Sequence, residues 1–284
     1  PPKIRHWPTF LVLQHLMMSA RTVLLDNRIK KRARSRPPIR YEIVLERVPE
    51  VLRRTFVQWG LDEETEAWLQ HASRDRVLAH CMGAFLRRFC SRTTANGIVG
   101  RGGMHVFSSQ QVGHILERRA GQGGALLDIG AGDGGVTAKL APLFSTVDVT
   151  ETSLSMRYRL KKRGFTVVEK GRRGAYDVVA CLNVLDRCDE PVSLLLEVKE
   201  LLRPGTGLLL LAVVLPWCPF VEHGTRQRAP SQQLPMDGAR CRDKPTFEKA
   251  VSVFLTSVAK PLGFEVLAWT RTPYLCEGSP SHDY

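Results

Sequence analysis

The sequence predicts a doubly wound α/β domain with a mostly parallel sheet, preceded by a helical extension. Three observations carry that expectation. From Gly121 onward, short runs that are apolar throughout alternate with amphipathic stretches. Strands without a polar face need cover on both sides, as parallel strands joined by helices have. One such run, "LLDIGAGDGGVT" (126–137), stops in glycines spaced by single residues, as a strand does when it turns tightly into a helix. A chain of 284 residues also suffices for one sizeable core and a small added layer.

Taken in order, residues 1–40 read as a basic, poorly ordered segment. Residues 1–54 hold thirteen Lys/Arg against four Asp/Glu, +9 of the formal +13, and "RIKKRARSRPPIR" (28–40) is the densest knot. Such a run can meet nucleic acid, acidic lipid or an acidic protein. It lacks interleaved aromatics for stacking bases, so a solvated linker is the expectation and nucleic acid a secondary partner. The front end, "KIRHWPTFLVLQHLMMSA", has the look of a signal or anchor. Gln14, His15 and Arg21 interrupt it well short of the ~20 apolar residues that cross a bilayer, so no transmembrane segment is predicted.

Residues 41–120 are expected to form a helical cap. Apolar residues recur at helical spacing in "YEIVLERVPEVLRRTFVQW" and "DRVLAHCMGAFLRRFC". A Gly- and hydroxyl-rich stretch, "SRTTANGIVGRGGMHVF" (91–107), comes next, and then a helix in "SSQQVGHILERR" with Ser108 or Ser109 as N-cap.

Residues 121–284 form the sheet domain. Strands are predicted at 125–129, 146–150, 165–169, 176–182 and 207–215, with helices near 134–143, 153–163 and 190–202. The last helix has Asp189 as N-cap, Pro191 in its first turn and Pro204-Gly205 as its stop. Residues 217–245, proline-containing and basic with little periodicity, read as a long loop. A helix (246–260) and a strand (264–271) complete the chain. Seven dispersed cysteines without a Cys-x-x-Cys pair suggest reduced thiols, and the eight scattered histidines suggest no metal site.

The glycines carry the chemistry. Gly130 and Gly132 let backbone approach a ligand that any Cβ would push away, and the helix beginning near 134 offers free amides. Glu151 closes the next strand in "VDVTE", where a carboxylate can hold both hydroxyls of a ribose. The spacing here is G-A-G-D-G and not G-x-G-x-x-G. Asp128 on the strand and Asp133 in the loop would repel a pyrophosphate and suit a cation. S-adenosylmethionine, with an ammonium, a sulfonium and no phosphate, fits better than a dinucleotide or ATP. Asn183 and Asp186 come after the fourth strand at the carboxyl edge, where open sheets of this kind bind ligands. Arg101, between glycines in "VGRGG", can meet a cofactor carboxylate or a backbone carbonyl.

Five blocks in order, "SRTTANGIVGRGGMHVFS", "LLDIGAGDGGVT", "YDVVACLNVLDRCDEP", "LLLAVVLPWCPFVE" and "TRTPYLCEG", make the stretch from about 90 to 284 similar to the DREV (methyltransferase-like protein 9) family. The resemblance implies a class I S-adenosylmethionine-dependent methyltransferase that modifies the pros nitrogen of histidine in proteins with alternating-histidine (His-x-His) segments. It places Asp128, Gly130, Gly132 and Glu151 at the cofactor, and Asn183, Asp186 and Tyr274 at the acceptor imidazole. A monomer inside the cell is expected, and the resemblance points to the endoplasmic reticulum or mitochondrion as its compartment. Asp186 can also be read as a cap, Asn183 as a turn residue and Tyr274 as a packed aromatic. The family's chain continues past "CEG" into an antiparallel last strand, whereas this sequence stops at Tyr284. The strand expected at 264–271 would then lack its partner. Two other functions stay open at this point: an RNA methyltransferase, prompted by the basic front, and a cofactor-binding but inactive truncated form. Against the first, "NVLD" is neither an Asn-Pro-Pro-Tyr-type nor a Cys-based element.

Overall fold

The structure, a computed structural model, describes residues 39–72, 77–116 and 123–277. Residues 28–38 of the basic knot, and the front end before them, lie outside the described residues.

Five helices come first: α1 Glu50–Arg53, α2 Glu63–Ala72, α3 Val77–Leu86, α4 Arg92–Val99 and α5 Ser109–Leu116, with the short strand β1 Met104–His105 before α5. The helical reading of 41–59 is largely overturned, because only Leu45–Arg47 and α1 coil there. Pro49 lies between them with extended ψ, and a residue with no N–H cannot continue the turn before it. Ser108 is the cap of α5. Its Oγ accepts from Gln111 N (3.0 Å) while Gln111 Oε1 accepts from Ser108 N (2.9 Å), the reciprocal pairing that satisfies two orphan donors.

The sheet is built from β2 Ala125–Ile129, β3 Thr146–Thr150, β4 Thr166–Val167, β5 Val178–Leu182 and β6 Leu208–Ala212. All five are parallel, in the order β4-β3-β2-β5-β6. The connecting helices are α6 Thr137–Leu140, α7 Leu154–Lys162 and α8 Pro191–Leu201. Because successive side chains on a strand face opposite ways, Leu126, Val178 and Ala180 pack with Val112, Leu116 and Leu140, while Leu127 and Val179 pack with Val198 and Leu201 on the other face. Both faces are covered, as the uninterrupted apolar runs require.

Three expectations for the last third of the chain are corrected. Asp189 does not cap α8. Its carboxylate is held by Arg228 (2.7 and 2.8 Å) and by Ser231 N (2.7 Å), and Gln232 Oε1 accepts from Val192 N and Ser193 N instead. The stretch 217–245 is not simply a loop. It contains the hairpin β7 Val221–His223 and β8 Arg226–Arg228, and buries Trp217, Leu234 and Met236 against Leu185 and Leu195. After α9 Phe247–Val253, which runs on as a π-helical turn Phe254–Ala259, the strand expected at 264–271 is absent from the sheet. The chain there makes one bridge, Trp269 to Phe56, with Trp269 N donating to Thr55 O (2.9 Å) and Val57 N to Trp269 O (2.8 Å). Its backbone groups are thus drawn to the N-terminal extension. Among the described residues β6 has no partner on its outer side, and a cleft of about 1230 Å³ lies between it and residues 263–275. The last strand, β9 Leu275–Cys276, pairs antiparallel with β1.

Candidate active site

Parallel strands end at one edge, so the turns leaving β2, β3 and β5 gather there. The turn after β2 needs its glycines for different reasons. Gly130 has φ +67, and a Cβ on it would lie 2.7 Å from Val184 Cγ2, so this glycine lets the turn pack against the segment after β5. Gly132 has φ +57, and a Cβ on it would meet nothing within 4 Å. The open room therefore lies in front of Gly132. At that point Gly132 N donates to Glu151 Oε2 (3.0 Å), and Glu151 Oε1 accepts from Ser153 N (2.8 Å). This carboxylate, fixed at the rim, can take two hydroxyls. The α6 helix starts only at residue 137 and has four residues, too few for its dipole to matter. What the turn offers is backbone room.

The other two acids of the turn face away from that room. Asp128 is buried, and its Oδ2 accepts from Thr137 Oγ1 (2.6 Å). Burial, with a smaller contribution from the Glu151 charge, raises its pKa to about 7 against the pull of the Thr137 bond. Asp133 accepts from Gly135 N (3.0 Å) and pairs with Arg159 and Arg163 of and after α7 (both 3.3 Å). Its charge is spent within the fold, so the preference for a cationic ligand cannot be argued from this side chain.

The corner after β5 is adjacent. Asn183 sits at φ 57, a left-handed conformation uncommon outside glycine but one that Asn tolerates. Its N–H still donates to Ala212 O on β6 (2.9 Å), so the chain stays in the sheet for one more residue before it turns. Arg187 N closes the turn on Val184 O (2.8 Å). Asp186, inside the turn, is 1% exposed, with Oδ2 paired to Arg187 Nη1 (2.7 Å) and Oδ1 without a partner. Burial raises its pKa, and the neighbouring guanidinium works against that rise. A buried carboxylate oxygen with no donor is costly, which marks it as an acceptor waiting for a donor from outside the chain.

Tyr274 and the Arg101 loop reach this corner through the β1–β9 pair. Glu277 Oε2 accepts from Gly102 N (3.0 Å) and Gly103 N (3.3 Å), which fastens residues 101–103 beside the segment that carries Tyr274. Tyr274 is 44% exposed, and burial of its hydroxyl end raises its pKa, with the Arg187 charge working against that rise and the Asp186 charge adding to it. Asn183 and Tyr274 both line the large cleft. The structure thus brings together Asn183, Asp186 and Tyr274, sets Gly130, Gly132 and Glu151 next to them, and encloses Asp128 and Asp133 behind the turn.

Sequence reasoning missed Arg187 and Phe220, which complete the Asp186 corner. An arginine directly after Asp186 was the only available signal, and nothing local pairs it with an aromatic 33 residues on. Also missed was the polar knot behind α6. Lys139 Nζ bonds His105 Nδ1 (2.8 Å), Phe107 O (2.8 Å) and Glu64 (2.9 Å), and Thr65 Oγ1 lies 3.0 Å from His105 Nε2. Burial, helped by Lys139, holds His105 at about 4. Among the described residues no group of three His, Cys, Asp or Glu is placed to hold a metal ion, and no helix is long and apolar enough to cross a membrane.

A hydroxyl-binding carboxylate and an open glycine turn, beside a buried acceptor, suit a nucleoside that delivers a small group to a partner seated at the next strand. The match to a family model agrees with this. A family model described as DREV methyltransferase matches residues 41–284. Ubiquinone biosynthesis O-methyltransferase of Xanthomonas campestris pv. campestris is 24% identical over 122 residues, 38% of this chain and 50% of that protein, so the chain spans about half the length of the curated relatives it matches. Among solved structures, a putative S-adenosyl-L-methionine-dependent methyltransferase of Methanococcus maripaludis aligns with a TM-score of 0.32 at 15% identity, covering 40% of this chain and 53% of that one. Phosphoethanolamine N-methyltransferase 2 of Haemonchus contortus, solved with S-adenosyl-L-methionine, gives 0.29 at 25% identity over 35% and 27%. The chain belongs to the DREV methyltransferase family, and its five-stranded parallel sheet with helices on both faces is of the class I α/β type.

Proposed function

We propose that this methyltransferase modifies the pros nitrogen of histidine in proteins that carry alternating-histidine segments. The observation that carries the reading is the buried, unpartnered Oδ1 of Asp186, next to Asn183 and Tyr274 and across the Gly130–Val184 contact from the cofactor turn. One free acceptor matches one N–H. A neutral imidazole has one N–H and, on its other nitrogen, a lone pair available at neutral pH because its pKa is around 6.5. A lysine ammonium would bring three donors and no lone pair until it lost a proton.

When bound, S-adenosylmethionine supplies a methyl carbon with its own leaving group, so no side chain need act as a covalent nucleophile. Asp186 does two things in this scheme. By accepting the N–H of the far (tau) nitrogen it fixes the tautomer that exposes the pros lone pair. As the ring becomes a cation, the carboxylate offsets the new charge, and the tau proton then leaves to Asp186 or to water. Orientation and this electrostatic contribution supply the rate. Asn183 steadies the ring or the peptide, and Tyr274 walls the acceptor side. Glu151, Gly130 and Gly132 would hold the cofactor, and Arg101 would meet its carboxylate.

The test is a mass-spectrometric assay of the protein with labelled S-adenosylmethionine and a His-x-His peptide. Label on the pros nitrogen is expected. Label on lysine, arginine or RNA, with histidine untouched, overturns the reading, and binding of S-adenosylhomocysteine by calorimetry without any transfer would indicate an inactive form.

A further inference from the structure

Arg187 is the one group at the Asp186 corner that the proposed chemistry leaves without work, yet it is the most constrained. Its Nη1 pairs with Asp186 Oδ2 (2.7 Å) and donates to Asp186 O (3.2 Å), and its guanidinium lies 3.9 Å over the Phe220 ring. Phe220 N donates to that same Asp186 carbonyl (3.0 Å). Phe220 therefore grips Asp186 twice, once through its backbone and once through Arg187. The guanidinium charge also acts on the Tyr274 hydroxyl. A planar fork on an aromatic face has little freedom, so the carboxylate it holds cannot rotate.

We infer that Arg187, clamped by Phe220, is the positioning residue of the reaction: it occupies Oδ2, so that Oδ1 alone faces the acceptor ring. This rests on the role given to Asp186 above. The titratable groups that feel Asp186 are Cys181 on β5, Cys188 on its own turn and Tyr274 on the segment before β9. Burial pushes all three upward, Cys188 to about 11, so each is neutral at working pH. Arg187 carries the positive charge that opposes the desolvation of Asp186.

The experiment compares wild type, Arg187→Gln, Arg187→Lys and Asp186→Asn. For each, kcat/KM for the peptide, which reports the free enzyme and free peptide, is followed against pH, with S-adenosylhomocysteine affinity by calorimetry as the check on the fold. Asp186 has to be ionised to offset the positive charge that develops on the ring, and losing Arg187 raises its pKa, so as pH is lowered activity should be lost at a higher pH than in wild type. The acid limb of Arg187→Gln is expected to move up by about one pH unit or more, with cofactor affinity unchanged and the shift largely reversed in Arg187→Lys. The peptide's own imidazole titrates alike in every case, so the difference between variants reads the enzyme. If Asp186→Asn is inactive but the limb of Arg187→Gln stays in place, the assignment of Arg187 fails while the role of Asp186 stands. If Asp186→Asn retains wild-type kcat/KM, both fall.

Discussion

Two buried aspartates stand at the ends of neighbouring strands, Asp128 on β2 and Asp186 after β5, and their surroundings have opposite logic. Both are almost fully enclosed and both are pushed upward by burial. Asp128 is answered from within by the Thr137 hydroxyl. Asp186 has one oxygen tied to Arg187 and the other left bare. An enclosed acid with an internal partner stabilises a turn; an enclosed acid with an unmet oxygen keeps a place for a ligand. Sequence alone shows two acids in two similar strand ends and cannot distinguish these cases.

The sharpest way to break the comparison is Asp186→Asn. The amide keeps the shape but loses the charge, and its orientation is free to present N–H instead of an acceptor. Transfer to histidine is expected to fall ~10²-fold or more, while S-adenosylhomocysteine affinity changes little. Unaltered rates would reduce Asp186 to a turn residue.

Asp128→Asn should act on stability and not on the acceptor. The folded pKa of Asp128 is raised to about 7, above the unfolded value near 3.9. Below ~4 the group is neutral in both states. As pH rises to 7 the unfolded chain loses its proton first, so stability declines, by up to about 4 kcal/mol at 1.36 kcal/mol per unit. Asn removes this slope. His105 tilts the same range the other way: held at about 4, it stays neutral in the fold, and stability is lost as pH falls from ~6.5 to ~4. The two slopes oppose each other in the wild-type curve. The difference in melting temperature between Asp128→Asn and wild type, at pH 5 and pH 8, isolates Asp128. The variant should gain several degrees on wild type at pH 8. A difference independent of pH would show that Asp128 is solvated in solution.

Gly130→Ala tests whether the two corners are one device. The substitution forces alanine into φ +67 with its Cβ 2.7 Å from Val184 Cγ2, costing about 1–2 kcal/mol in backbone strain alone. Moving Val184 displaces the turn that ends at Arg187, so cofactor affinity and kcat should fall together, each roughly tenfold. Weaker cofactor binding with an unchanged kcat at saturation would mean that the corners are independent.

The asymmetry of the comparison also separates what could be read from the sequence from what could not. The cofactor corner is local. "LLDIGAGDGG" and "VDVTE" lie on consecutive strands, and hydrophobic periodicity places β2, β3 and β5 within a few residues of where they lie. The class I fold and methyltransferase family are legible in those blocks. The acceptor corner is assembled from distant pieces. Asp186, Phe220 and Tyr274 meet only because the Trp217–Met236 stretch folds over Leu185 and because Glu277 reaches back to Gly102. Stretches without periodicity, such as 217–245, give no sign of the residues they bury. The Asp189 cap failed for a like reason, since Arg228 and Ser231 compete for that carboxylate from 39 and 42 residues away. The strand at 264–271 had the right composition, but its backbone bonded to Thr55 and Val57 and not to the open edge of β6.

The smallest effect is also the most discriminating, because Asn183 is where a turn role and an active-site role overlap. At φ 57 the backbone conformation suits glycine as well as asparagine. Asn183→Gly therefore keeps the turn and its N–H bond to Ala212 O, and removes only the carboxamide. Relief of left-handed strain and the greater freedom of glycine in the unfolded chain oppose each other, so stability should change by less than about 1 kcal/mol. If the carboxamide steadies the acceptor, kcat/KM for the histidine peptide falls about tenfold, the loss of one hydrogen bond of ~1.4 kcal/mol, at an unchanged melting temperature. Asn183→Ala would be ambiguous, since it also strains the turn. Unchanged kcat/KM in Asn183→Gly would assign the residue to turn geometry, and the acceptor would then be held by Asp186 and Tyr274 alone.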